Sequence, residues 1–182
     1  GFPKLTSNDI ASSPAAGDLD GDGSLEVVVG SNDRGIYAFN ADGSPVCGFP
    51  VITANSVWSS PAIADLDGDG NLEIVVGSKK TGEDIISMLV SLMGSYTGQV
   101  YAVKCDGYPL PGFPVDLNSP TLTDFTGSAV GYSSPILADL DGDGSLEIII
   151  GAADGLYALT QEGEDQRQFP RKTSGSLQDS LM

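Results

Sequence analysis

One nine-residue stretch constrains this chain more than any other, because it is written three times. Asp18-Leu19-Asp20-Gly21-Asp22-Gly23-Ser24-Leu25-Glu26 returns as Asp65-Leu66-Asp67-Gly68-Asp69-Gly70-Asn71-Leu72-Glu73 and again as Asp139-Leu140-Asp141-Gly142-Asp143-Gly144-Ser145-Leu146-Glu147. Counted from the first aspartate, carboxylates stand at positions 1, 3, 5 and 9, and glycines at 4 and 6. Carboxylates at that density repel one another unless a cation compensates them. Ca²⁺ takes about six to eight oxygen ligands in flexible geometry, and glycine lets the chain wrap the ion. The spacing therefore predicts three calcium sites: Asp18, Asp20, Asp22 and Glu26; Asp65, Asp67, Asp69 and Glu73; Asp139, Asp141, Asp143 and Glu147. The main-chain carbonyls of Ser24, Asn71 and Ser145, at position 7, complete each set. Asp-Gly-Asp-Gly is also good turn chemistry, which would explain one copy but not three at identical offsets.

The loop is not an EF-hand. That motif places a bidentate glutamate at position 12 between helices, whereas position 12 here is Val29, Val76 or Ile150. Each loop runs into a β-branched segment closed by glycine: Val27-Val28-Val29-Gly30, Ile74-Val75-Val76-Gly77 and Ile148-Ile149-Ile150-Gly151. Short apolar runs bounded by turn residues read as buried strands. Each ion is thus expected in a strand-to-strand turn, with the position-9 glutamate reaching outward from the second strand.

The surrounding segments repeat as well. Ser12-Ser13-Pro14, Ser59-Ser60-Pro61 and Ser133-Ser134-Pro135 lead into the loops, with residues small enough for a crowded inner edge. Strands Gly35–Phe39, Gln99–Val103 and Gly155–Leu159 carry Tyr37, Tyr101 and Tyr157 in register, which suits packing between repeats. Gly-Phe-Pro recurs at residues 1, 48 and 112, with proline tolerable at an edge strand. Four strands per roughly 40–50 residues is the signature of a propeller blade. The expected fold is all-β: four-stranded antiparallel β-propeller blades, three repeats present, incomplete or part of a larger propeller. One propeller segment spans 1–182, with repeats at about 1–47, 48–111 and 112–167 and a partial fourth at 168–182. The second repeat carries an insertion at 81–95, whose Glu83–Met93 has a narrow polar stripe at helical spacing; the third carries a Ser/Thr-rich loop insertion at 117–128. Both belong on the face opposite the acidic loops.

Asp-x-Asp-x-Asp-Gly-x-Leu-Glu followed by an apolar strand and glycine, then Gly-x-x-Tyr-Ala, resembles the FG-GAP repeat of integrin-α-type β-propellers. The resemblance covers nearly the whole chain. It implies that the loop carboxylates and position-7 carbonyls bind calcium, and that ligands meet the face bearing the insertions. Glutamate replaces aspartate at position 9, which moves that ligand by a methylene without removing it.

Composition narrows the function classes. Twenty-five acidic and 8 basic residues give a formal net charge of −17, which three Ca²⁺ would bring to −11. That balance argues against nucleic acid, which needs a basic footprint, and offers no polybasic patch for lipid. Histidine is absent, removing the commonest general base. No apolar run reaches the ~18 residues of a transmembrane segment. Cys47 and Cys105 are too few for a disulfide scaffold, although an oxidising compartment would allow them to pair. The leading expectation is a calcium-stabilised extracellular or cell-surface module for adhesion, protein–protein interaction or surface assembly, with no catalytic residues. Its partners would be other blades of the same chain or neighbouring subunits, and a protein or glycan ligand. The alternatives are the propeller portion of a secreted polysaccharide lyase or hydrolase, or a lectin-like glycan binder. The register of the ends leads us to expect a piece of a longer chain or a self-assembling subunit.

Overall fold

The computed structural model describes residues 1–78, 97–118, 133–152, 155–166 and 171–172. Among these residues the chain is all-β, as the sequence predicts. Its strands are β1 (Ala15–Gly17), β2 (Glu26–Gly30), β3 (Gly35–Phe39), β4 (Val51–Ile52), β5 (Ala62–Ala64), β6 (Glu73–Ser78), β7 (Thr97–Val103), β8 (Val115–Asn118), β9 (Ile136–Ala138), β10 (Glu147–Ala152), β11 (Gly155–Leu159) and β12 (Arg171–Lys172). They build three four-stranded sheets, β1-β2-β3-β4, β5-β6-β7-β8 and β9-β10-β11-β12, each a sequential antiparallel meander, and the three do not close a ring. The helix expected over 81–95 and most of the insertion at 117–128 lie outside the described residues, as does most of the partial repeat 168–182. Leu117 and Asn118 continue β8, and Arg171–Lys172 pairs with β11.

The sheet and the sequence period differ in phase. Val51–Ile52, which follows Gly48-Phe49-Pro50, is the outermost strand of the first sheet rather than the opening of the second. Pro50 and Pro114 immediately precede the edge strands β4 and β8, where a missing N–H is tolerated.

Neighbouring blades meet through alternation along the central strands. Successive side chains of a strand point to opposite faces, so Ile74 and Val76 of β6 join the seam with the first blade while Val75 joins the seam with the third. The first seam also holds Val28, Ile36, Ala38 and Tyr101; the second holds Val100, Ile148, Ile150 and Tyr157. Tyr101 and Tyr157 thus pack between blades as expected, whereas the Tyr37 hydroxyl donates to Asp33 Oδ2 at 2.8 Å. Burial, and after it the hydrogen bond and charge of Asp33, push the Tyr37 phenol up to about 12.

The seam is closed at both rims by contacts the sequence did not announce. At the inner rim the Ser13 N–H donates to Ser60 Oγ at 2.9 Å, and the Ser60 N–H to Ser134 Oγ at 3.0 Å. The preceding serine of each pair works within its own blade: Ser12, Ser59 and Ser133 Oγ accept from the N–H of Gly30, Gly77 and Gly151 at 2.9–3.0 Å. At the outer rim the glycine of each Gly-Phe-Pro abuts the Asp-Gly or Glu-Gly turn of the next blade: Gly48 meets Asp106 and Gly107, and Gly112 meets Glu162. A net hydrogen bond contributes about 1 kcal/mol, against about 1.5–3 kcal/mol for each fully buried aliphatic side chain. The apolar seams therefore dominate, and the rims set their register.

Gly48 has φ +89°, and an added Cβ would overlap the Asp106 carbonyl. Gly48→Ala should therefore destabilise the fold by about 2 kcal/mol or more, through both strain and separation of the first seam. Chemical denaturation monitored by fluorescence checks this; a loss below about 0.5 kcal/mol would show that the outer rim does not hold the blades together.

Candidate metal centres

The three acidic loops connect the first and second strands of each blade and share one hydrogen-bond pattern. In the first, the Gly23 N–H donates to Asp18 Oδ2 at 3.0 Å, the Asp22 N–H to Asp20 Oδ1 at 3.2 Å, and the Ser24 N–H to Asp22 Oδ1 at 2.7 Å. The second repeats this with Gly70 on Asp65, Asp69 on Asp67 and Asn71 on Asp69, and the third with Gly144 on Asp139, Asp143 on Asp141 and Ser145 on Asp143. These local bonds are the ones Asp makes readily in turns. In the first two loops each aspartate commits one oxygen to the loop's own backbone, whereas in the third Asp139 accepts with both, from Gly142 at 2.6 Å and Gly144 at 3.0 Å.

The position-9 glutamates depart from expectation. Instead of reaching outward, Glu26, Glu73 and Glu147 are 1%, 0% and 2% exposed. Each folds back beneath its loop, where Oε2 accepts the N–H of Leu19, Leu66 or Leu140 at 2.8 Å. The reason is topological: position 9 opens the central strand of the blade, and its side chain enters under the turn that strand has just left. Burial pushes the Glu73 carboxyl up; the Leu66 N–H pulls it back, and the charge of Asp67 adds to the rise.

Asp18, Asp20 and Asp22 bring ligand oxygens within 4.8 Å of one another, as do Asp65, Asp67 and Glu73, and Asp139, Asp141 and Glu147. The structure thus brings together nine of the twelve predicted carboxylates, with Glu26, Asp69 and Asp143 outside the tight groups but in the same loops. Three of the oxygens, Asp18 Oδ1, Asp65 Oδ1 and Glu73 Oε1, are buried and accept no hydrogen bond. A buried, unsatisfied carboxylate oxygen carries a penalty of about 1–3 kcal/mol or more, and a hard cation is the natural partner for an all-oxygen donor set. The residues fit such an ion.

The sequence reading missed how the loops are anchored in the seams. Leu19 and Leu66 at position 2 are buried in the seam with the following blade, while Leu72 and Leu146 at position 8 pack on the seam with the preceding one. Leu25 and Leu140, the equivalents lacking a described neighbour on that side, are 59% and 47% exposed. The signal was present as a leucine on each side of the Asp-Gly core, but only the blade order shows that the two point to different neighbours. Cys47 and Cys105 are free thiols.

The environments of the loops differ. The first opens on a cleft of about 360 Å³ shared with Asn40, Asp42 and Ser44. In the second, Lys104 Nζ lies 2.7 Å from Asp67 Oδ2 and 2.9 Å from Asp69 Oδ2. Those contacts hold Asp69 below and Lys104 above their ordinary ranges. In the third, the Gln166 amide donates to Asp141 Oδ2 at 3.2 Å.

Residues 18–76, from the head of the first loop to Val76 of β6, match the family model of the FG-GAP-like repeat. Among solved structures, the crystal structure of the V. cholerae biofilm matrix protein Bap1 aligns with 84% of this chain and 27% of its own length, at 20% identity and TM-score 0.35. The chain thus spans about a quarter of Bap1. No curated protein matches the sequence.

Glu73 supplies a test with a defined sign. Because its native pKa is raised, its ionisation opposes folding when no cation is bound. Its contribution is complete below the ordinary carboxylate range and is lost as pH rises through the native value. Glu73→Gln keeps an acceptor for Leu66 and carries no charge. In chelator the variant should melt at or above the wild type near about pH 8 and lose that advantage near about pH 4. In excess Ca²⁺ the order should reverse, since ligand binding to the native state favours the wild type. The same order in both buffers would show that Glu73 does not serve a cation.

Proposed function

On the premise that residues 18–76 are an FG-GAP-like repeat, we propose that this chain is a calcium-stabilised β-propeller segment working outside the cell as a binding or assembly module. The observation that carries the reading is the buried position-9 glutamate, repeated at the root of three loops, each of which gathers three carboxylates within 4.8 Å of one another, with the glutamate among them in the second and third. Asp18, Asp20, Asp22 and Glu26 would hold one ion; Asp65, Asp67, Asp69 and Glu73 a second; Asp139, Asp141, Asp143 and Glu147 a third; position-7 carbonyls would add to each. Bound Ca²⁺ would supply positive charge to a buried acidic cluster, and through the anchoring leucines its binding would tighten the seams. Extracellular modules commonly bind Ca²⁺ at about 10⁻⁴–10⁻³ M, which suits a site that is filled outside cells.

The reading is non-catalytic, since the paired acids that glycoside chemistry needs are committed here to the loops. The third blade turns Ile136, Leu140 and Leu156 outward at 60%, 47% and 40% exposure. An apolar face of that kind suits a further blade or a neighbouring subunit. We place ligand contact at the end of the blades opposite the loops, where β6 ends and β7 begins.

Isothermal titration of chelated protein with Ca²⁺ should find about three sites per chain and little heat from Mg²⁺, whose near-octahedral, reluctantly dehydrated shell suits such a loop poorly. Chelator should lower the melting temperature. Fewer than two sites, or a melting curve indifferent to chelator, would reduce the loops to turns.

A further inference from the structure

We infer that Lys104 is a built-in counter-ion of the second loop, displaced when a divalent cation binds, and that it makes this loop the weakest of the three cation sites. The inference rests on the calcium reading above and deepens it. The three nine-residue loops are nearly identical, so a difference in affinity must come from what faces them. The turn after the third strand of each blade faces its loop and opens with Asn40 after β3, Lys104 after β7 and Thr160 after β11, and Gln166 also reaches the third loop. Asn40, Lys104 and Thr160 stand in the same turn, with backbone N–H groups donating to the carbonyls of Ser44, Tyr108 and Glu164 at 2.8–2.9 Å.

Their side chains act differently. The Asn40 amide donates to Ser44 Oγ at 2.9 Å, and Thr160 Oγ1 accepts from the N–H groups of Glu162 and Glu164 at 3.3 Å, so both stay within their own turn. Lys104 instead extends across to the loop and places its ammonium on Asp67 and Asp69 at 2.7 and 2.9 Å. Those aspartates are positions 3 and 5, two of the four carboxylates expected to ligate. The ammonium does not reach everything the loop needs, because Glu73 Oε1, in a residue 0% exposed and grouped with Asp65 and Asp67, remains without a partner. A monovalent point charge with three donors can neutralise the loop's outer acids, but a divalent ion is required to satisfy the inner one as well. Binding at this loop must therefore break two ion-pair hydrogen bonds, whereas the third loop meets only the neutral Gln166 amide, at 3.2 Å on Asp141, and no cationic side chain contacts the first or third among the described residues.

The consequence is a hierarchy. At low Ca²⁺ the first and third loops fill while Lys104 keeps the middle blade's loop compensated; at higher Ca²⁺ the ammonium is released to solvent. Calorimetric titration of the full 182-residue chain with Ca²⁺ should resolve two site classes, the weaker by about tenfold, given the modest worth of partly exposed ion pairs. Lys104→Asn, which installs the first blade's residue, should raise the weak class by about tenfold and lower the melting temperature in chelator. Asn40→Lys should create a second weak class, and it keeps the test open if Lys104→Asn does not fold. As an independent readout, acetylation of Lys104 by a water-soluble amine reagent, followed by mass spectrometry, should be slow in chelator and accelerate as the weak class fills. Three equivalent sites unchanged by Lys104→Asn, or Lys104 reactivity indifferent to Ca²⁺, would overturn the inference and leave the calcium reading standing. Absence of any Ca²⁺ binding would overturn the calcium reading itself.

Discussion

A carboxylate buried at the root of each acidic loop is the interaction on which the rest depends. Glu26, Glu73 and Glu147 are nearly inaccessible, and each accepts the N–H of the loop's second residue at 2.8 Å. That bond closes the nine-residue turn by joining its second residue to its last. It also orients the leucine on the same residue, which in Leu19 and Leu66 enters the seam with the next blade. A glutamate at such a depth is tolerated only if its charge is compensated or its proton retained. The need to compensate that charge or retain the proton is thus a consequence of how the blade starts its central strand.

The loops belong to the core as much as to the surface. Leucines at positions 2 and 8 attach the second loop to the blade ahead and to the blade behind, with its aspartates between them in sequence. Serines at the inner edge and the glycine-to-turn contacts at the outer edge repeat the same arrangement between successive blades. Each interaction is small beside the aliphatic packing of the seam. Their regular spacing matters because a repeat structure is stabilised by nearest-neighbour interfaces, and anything that orders one loop is felt in two seams.

Repetition in the chain does not make equivalent sites. The three loops differ by one residue, Asn71 for serine, yet one opens on a cleft with Asn40 and Asp42, one is spanned by the ammonium of Lys104, and one meets the amide of Gln166. The variation lies in the turn after each third strand, which the meander brings beside the loop of its own blade. A nearly constant acidic loop is in this way set in three electrostatic environments.

Much of this was legible in the chain itself. Three copies of Asp-x-Asp-Gly-Asp-Gly-x-Leu-Glu, each followed by a β-branched run and glycine, determined the acidic loops, the central strands and the all-β blade, because turn chemistry and strand propensity act over a few adjacent residues. The same local reading sent the position-9 glutamate outward, assigned the strand after Gly-Phe-Pro to the following repeat, and found no particular task for Lys104. Those matters were decided by tertiary structure. Glu73 is buried because β6 is packed on both faces, Val51–Ile52 completes the first sheet because β3 offers it a free edge, and Lys104 meets Asp67 and Asp69 from 37 and 35 residues away because β6 and β7 are paired. Propensity and spacing describe what a segment prefers by itself; which side of a strand is covered, and whose charge stands across from it, depends on contacts that the sequence lists far apart.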